Sequence, residues 1–75
     1  MDIEEKTVSQ LVPGDIICLR NSPQTLWSIV LYNVEIDRGQ TLRLFELKLF
    51  EFKSNSVVTA EYYSYVSRVV LKCQP

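Results

Sequence analysis

The chain has 75 residues with only two glycines and three prolines, which allows one small domain over residues 1–75 and no low-complexity linker. Eight basic residues against nine acidic ones give a net charge of -1, so no strong overall field attracts a phosphate backbone. The sequence lacks histidine, closely spaced cysteines and a phosphate-binding glycine motif. We therefore expect no enzyme activity, no metal site and no cofactor.

The amino-terminal stretch is acidic, and we predict residues 1–8 to be a flexible leader. Its acidic start differs from the basic start of a secretory signal. The longest apolar runs are far shorter than the ~20 residues that span a bilayer. These features predict a cytoplasmic protein with no membrane partner. They favour free thiols at Cys18 and Cys73 over the alternative, a single disulfide that joins the two.

The stretch "LVPGDIICLR", residues 11–20, predicts a turn that leads into a strand. Pro13 fixes its own backbone angle as the second position of such a turn requires, and Gly14 accepts a positive φ at the third. The residues that follow are apolar on both faces. We therefore expect this strand to lie inside a sheet rather than at its edge.

A loop is predicted over residues 21–25 and a strand over residues 26–36, with a bulge or sharp bend where the apolar face changes near Leu31. "DRGQ", residues 37–40, predicts a hairpin turn with Gly39 in a left-handed conformation. Residues 41–53 fit a strand or a helix. The preceding hairpin signal favours a strand.

Residues 53–56 predict another turn, and the valine pairs at 57–58 and 69–70 predict strands at both ends of the remaining segment. The middle, "EYYSYVSR", predicts a single helical turn before the last strand. The sum is an all-β domain of five antiparallel strands in a small barrel. The alternative is an α+β domain in which residues 41–53 or 60–70 are helical.

Four features of the chain resemble the Src-homology-3-like small barrels, the group that includes Tudor and KOW-type modules. They are "LVPGDIICL" leading into the first long strand, Trp27 opening the second, the hairpin at "DRGQ", and "YYSYV" before the terminal strand. The resemblance implies a small barrel fold. It implies no specific activity, because one fold hosts many functions.

Aromatic side chains give the leading functional signal. In a barrel of this kind, four of them lie near the loop after the first long strand and the turn before the last, where related barrels have a groove. A near-neutral surface with clustered tyrosines suits a protein partner. The candidate protein-binding residues are Trp27, Tyr62, Tyr63 and Tyr65.

Nucleic-acid binding is the alternative function, because basic residues are interleaved with aromatic ones. The candidate residues are Arg20, Arg43, Lys48, Lys53, Arg68 and Lys72. Glu46 and Glu51 lie on the same segment and would repel phosphates, which favours ion pairs between strands instead.

Two further features indicate a protein partner. Sheet edges can accept an added strand, and residues 42–52 are apolar on both faces. A strand that is apolar on two sides in so small a domain needs a cover. A second copy of the chain would provide one. The sequence thus predicts a non-enzymatic protein interaction module that acts through an aromatic patch or a sheet edge and that can form a homo-oligomer.

Overall fold

The computed structural model describes residues 3–19, 27–64 and 69–72, and these form one antiparallel sheet with a short 3-10 helix at Val8–Gln10. Its strands are β1 Ile3–Lys6, β2 Ile16–Leu19, β3 Ser28–Ile36, β4 Leu44–Glu51, β5 Ser56–Tyr63 and β6 Val69–Lys72. Their spatial order is β1-β6-β2-β3-β4-β5. The sheet curls into a half-barrel, as in a small β-barrel fold.

The all-β prediction is confirmed, with differences in the strand count and in closure. The described residues form six strands rather than five, because Ile3–Lys6 lies in the predicted leader and pairs along β6. Within those residues β1 and β5 are the two ends of the sheet and do not pair, so the strand pairing shows no closed barrel.

The two helical alternatives are wrong where the structure describes them. Leu44–Glu51 is strand β4, and residues 60–63 belong to strand β5. The predicted helical turn at "YYSYV" begins with two residues of β5 and a turn residue, Ser64, and its remainder lies outside the described residues.

The turn before β2 forms as the sequence predicts. Gly14 has a φ of +96°, and the Asp15 N–H donates to the Val12 carbonyl at 3.1 Å. The Asp15 carboxylate accepts the Val12 N–H at 3.0 Å, which closes the turn from its other side. The Gly14 N–H donates to Val30 at 2.8 Å. The turn is therefore attached to β3, and β2 lies inside the sheet between β6 and β3.

Gly14→Ala is expected to lower the free energy of unfolding by about 1–2 kcal/mol, because a positive φ strains the backbone of any residue that has a Cβ. No heavy atom lies within 4 Å of the added Cβ, so the cost arises from the backbone alone. Urea denaturation measures the change. Val12→Ala, at an exposed position of the same turn, is the control, and equal stability of the two variants would contradict the prediction.

A β-bulge interrupts the pairing of β3 with β4 at Leu31, where the sequence predicts the change of face. Val30 pairs with Leu49 and Tyr32 pairs with Lys48, so Leu31 has no partner on β4. An extra residue of this kind bends the strand and increases its twist.

The core lies on one face of the curled sheet, beneath the amino-terminal segment. Val8 in the 3-10 helix is fully buried, and the Asn33 side-chain amide donates to the carbonyls of Val8 and Leu11 at 2.9 and 3.0 Å. These bonds hold the segment against β3. The buried cluster comprises Val8, Leu11, Ile17, Val30, Phe45, Leu47 and Leu49, with Val58 and Tyr62 packed against it.

Candidate functional site

Trp27 lies immediately before β3, beside the turn that joins β4 to β5. Its carbonyl accepts the Phe52 N–H at 3.2 Å. Its side chain is half-buried and lines a cavity of about 270 Å³ with Glu51, Lys53 and Ser54. This cavity is large enough to accept part of a partner's side chain.

Tyr62 and Tyr63 are neighbours on β5 and lie on opposite faces of the sheet. Tyr62 packs against the core, and burial, followed by the nearby charge of Glu51, raises the pKa of its hydroxyl. Tyr63 pairs with Leu44 and is 38% exposed. Tyr63 therefore presents a surface that a partner can contact, whereas Tyr62 has a structural role.

The register of β4 separates the predicted aromatic residues into two places. Trp27 stands opposite Phe52, just beyond one end of β4, and Tyr63 stands opposite Leu44 at the other end. Seven steps of about 3.3 Å along a strand put roughly 23 Å between those ends. Trp27 and Tyr63 do not share one patch, and Tyr65 lies outside the described residues.

The structure instead brings together an apolar cluster that sequence reasoning did not select. Phe50 and Phe52 pack edge to face, with ring centroids 5.8 Å apart and planes at 76°. Phe50 pairs with Ile29 on one side and with Val57 on the other. Phe52 and Val57 are about half exposed. We call Ile29, Phe50, Phe52 and Val57 the phenylalanine patch; the period-two spacing of "FEF" was its only sequence signal.

The two arginines that the structure describes, Arg38 and Arg43, already have acidic partners. Arg43 donates to both carboxylate oxygens of Glu35, at 3.0 and 2.9 Å, and this bonding lowers the pKa of Glu35. Arg38 donates to both oxygens of Glu61 at 2.6 Å. Phosphates would have to compete with these carboxylates, which disfavours a nucleic-acid interface here.

The predicted basic residues do not form one row. Arg43 also lies over the Phe45 ring at 5.1 Å, and the Lys48 amine lies 5.9 Å from the Tyr32 ring centroid. Lys53 lies in the β4–β5 turn beside Trp27. The backbone of Lys72 lies in β6, and Arg20 and Arg68 fall outside the described residues.

Strand β5 has one strand neighbour, β4, in the part of the chain that the structure describes. The Ser64 N–H donates to the Arg43 carbonyl at 2.9 Å, and these two residues stand directly opposite each other where the ladder continues. Such bonded pairs recur at every second residue of an antiparallel ladder. Even-numbered residues of β5 therefore direct their backbone groups toward β4, and odd-numbered residues direct theirs away.

We define the β5 edge as the outward backbone groups of Val57, Thr59 and Glu61; Tyr63, which is also odd-numbered, is left out because it takes part in another interaction. No hydrogen bond of the described residues occupies these groups. Edge strands are usually guarded by lysine, proline, a bulge or an uncompensated charge. The eight residues "SVVTAEYY" contain neither lysine nor proline. Their one charged residue, Glu61, is paired with Arg38.

Among residues 3–19, 27–64 and 69–72, no group of three acidic or cysteine side chains is placed to hold a metal ion. No helix within those ranges is both long and apolar enough to cross a membrane. No family model matches the chain, and no curated protein or solved structure matches it. The arguments on function therefore rest on the geometry of this molecule.

Proposed function

We propose that the protein is a non-enzymatic interaction module that binds a protein partner by strand addition at the β5 edge. The observation that carries the proposal is the set of outward backbone groups on an eight-residue strand with one described neighbour. A partner strand can satisfy outward N–H and C=O groups that no other described residue satisfies. Main-chain pairing of this kind supplies affinity, and side chains on alternate faces supply specificity.

The phenylalanine patch supports the same function because it lies beside the β5 edge. Val57 belongs both to the patch and to the edge. A partner strand paired with β5 would place a side chain next to Val57 and Phe50 on the outer face. Burial of exposed apolar area there contributes about 25 cal/mol per Å². Aromatic and aliphatic anchors commonly dominate the binding energy of an interface.

Trp27 and Tyr63 have a secondary part in this proposal. Trp27 lies at the end of the sheet where β5 begins, and Tyr63 is the last residue of β5. A strand that runs the length of β5 would therefore meet one of these aromatic residues near each end. This arrangement replaces the single aromatic patch that the sequence suggests.

We also infer that the domain is an Src-homology-3-like barrel of the Tudor and KOW-type group. The curled antiparallel sheet and the turn at Val12–Asp15 support this inference. In such a barrel the two edges of the sheet approach each other. The described strands β1 and β5 do not pair with each other, so the proposed partner strand lies on the side where the described barrel is open.

The proposal is tested by capture of the tagged full-length chain's partners from its native host lysate, with and without nuclease, and identification by mass spectrometry. The captured protein is then produced and titrated directly. Thr59→Pro removes an outward N–H, and Phe52→Ala removes part of the phenylalanine patch. Each is expected to weaken binding about tenfold or more.

Leu42→Ala is the matched control, because Leu42 is as exposed as Phe52 but lies in the loop between β3 and β4. It is expected to bind as the unchanged protein does. Retention of the partner by both Thr59→Pro and Phe52→Ala would overturn the proposal. Loss of all capture on nuclease treatment would overturn it in favour of nucleic-acid binding.

A further inference from the structure

The interaction proposed for β5 leaves the chemistry of the partner strand open, and the residues of β5 restrict it. The side chains at the centre of β5 are small, and Val58, Thr59 and Ala60 therefore allow another backbone to approach closely. Its single charge, on Glu61, is compensated by two hydrogen bonds from Arg38. An edge of this composition is complementary to another strand of the same kind.

We propose that β5 pairs with β5 of a second copy of the chain, antiparallel, across a two-fold axis at Thr59. This inference rests on the proposed function and names the partner. An isologous contact of this type joins the same surface of both copies and closes the assembly at a dimer. The two half-barrels then share one continuous sheet.

The position of the axis follows from the alternation of backbone groups along β5. With the axis at Thr59, the two Thr59 residues form a hydrogen-bonded pair, and Val57 of each copy pairs with Glu61 of the other. All three residues of the β5 edge are then used in each chain. A shift of the axis by one residue brings Val57 opposite Tyr63 or Glu61 opposite Asn55, and neither Tyr63 nor Asn55 belongs to the β5 edge.

The charge pattern favours the same register. Glu61 of one copy lies opposite Val57 of the other, and no two carboxylates face each other directly across the interface. An axis at Glu61 would oppose two like charges, which destabilises a cross-strand pair. The Thr59 register also makes a threonine–threonine pair, which is among the favourable cross-strand pairs.

The first test measures the mass of the full-length protein in solution by sedimentation equilibrium over a wide concentration range. The unchanged chain is expected to show a reversible monomer–dimer equilibrium. Thr59→Pro is expected to be monomeric with an unchanged circular dichroism spectrum, because the Thr59 N–H points away from β4 and proline is tolerated there.

The second test uses charges at the axis, where residue 59 faces its own copy. Thr59→Lys and Thr59→Glu are each expected to weaken the dimer about tenfold or more by like-charge opposition. An equimolar mixture of the two is expected to restore it, because lysine then faces glutamate. Leu42→Lys, in the loop between β3 and β4, is expected to leave the dimer unchanged.

The outcomes separate this inference from the proposed function. A monomeric unchanged chain whose captured partner is lost in Thr59→Pro would overturn the homodimer and keep strand addition at the β5 edge. A dimer that persists in Thr59→Pro and in both charge variants would overturn the homodimer through β5. If a captured partner also persists in Thr59→Pro and in Phe52→Ala, strand addition at the β5 edge is overturned as well.

Discussion

Leu47→Ala is expected to lower the free energy of unfolding by about 2–5 kcal/mol, the range for removing a buried leucine side chain. Leu47 is 0% exposed and lies in the middle of β4, where it faces the core. Its cross-strand neighbours are Asn33 and Ala60. Ala60 is too small and Asn33 is too firmly bonded to the amino-terminal segment to fill the cavity left behind.

The loss would be large relative to the whole stability of the domain. At about 0.05–0.15 kcal/mol per residue, a chain of 75 residues has a total stability of about 4–11 kcal/mol. The fluorescence of Trp27, the single tryptophan, follows unfolding in urea. Val34→Ala, on the exposed face of β3, is expected to change stability by less than about 0.5 kcal/mol. Equal stability of the two variants would show that this face of β4 is not the core.

Ala60→Pro is expected to destabilise the domain by about 2–4 kcal/mol, whereas Thr59→Pro is expected to cost about 1 kcal/mol. The two residues are adjacent on the same edge strand and differ in the direction of their N–H groups. The N–H of Ala60 points toward Leu47 on β4, so proline at 60 removes a ladder bond and leaves a buried carbonyl without its donor. The N–H of Thr59 points outward.

Thermal and urea unfolding of the two proline variants measure the difference directly. The comparison is internally controlled, because both substitutions restrict the preceding residue to an extended conformation that β5 already has. The reverse order of stability would mean that the outward groups belong to the even-numbered residues. The β5 edge as defined here would then be wrong, together with the strand pairing built on it.

Local features of the fold could be predicted from the sequence because their causes are local. The turn at Val12–Asp15 follows from the backbone angles that Pro13 and Gly14 allow, and the bulge at Leu31 follows from a change in the apolar face. Residues 41–53 were ambiguous because leucine, glutamate and lysine favour helices. The segment Leu44–Glu51 forms a strand because it pairs with β3 on one side and with β5 on the other.

The amino-terminal segment could not be predicted in the same way. The bonds from Asn33 to Val8 and Leu11 join residues more than twenty positions apart. No local pattern in the acidic stretch at residues 1–8 signals that Val8 will be buried. The charge of that stretch instead suggested a free leader.

The placement of the candidate aromatic residues depends partly on local alternation and partly on register between strands. Tyr63 is exposed and Tyr62 packs inward, as alternation along a strand requires. The grouping of Trp27 with the tyrosines depends on the register between distant strands, which composition does not determine. The pairing of Phe50 with Val57 likewise appears only once β4 and β5 are aligned.

The bulge at Leu31 determines which side chains of β3 lie on each face of the sheet after residue 31. With Leu31 outside the ladder, Tyr32, Val34 and Ile36 share the outer face with Glu46, and Asn33 lies on the inner face. An uninterrupted ladder would exchange these two sets, because a slip of one residue turns every later side chain over. The interior would then gain a tyrosine, a valine and an isoleucine and would lose the amide that holds Val8. The nine residues of β3 could thus form two sheets with opposite faces buried, and the unpaired Leu31 determines which of the two forms.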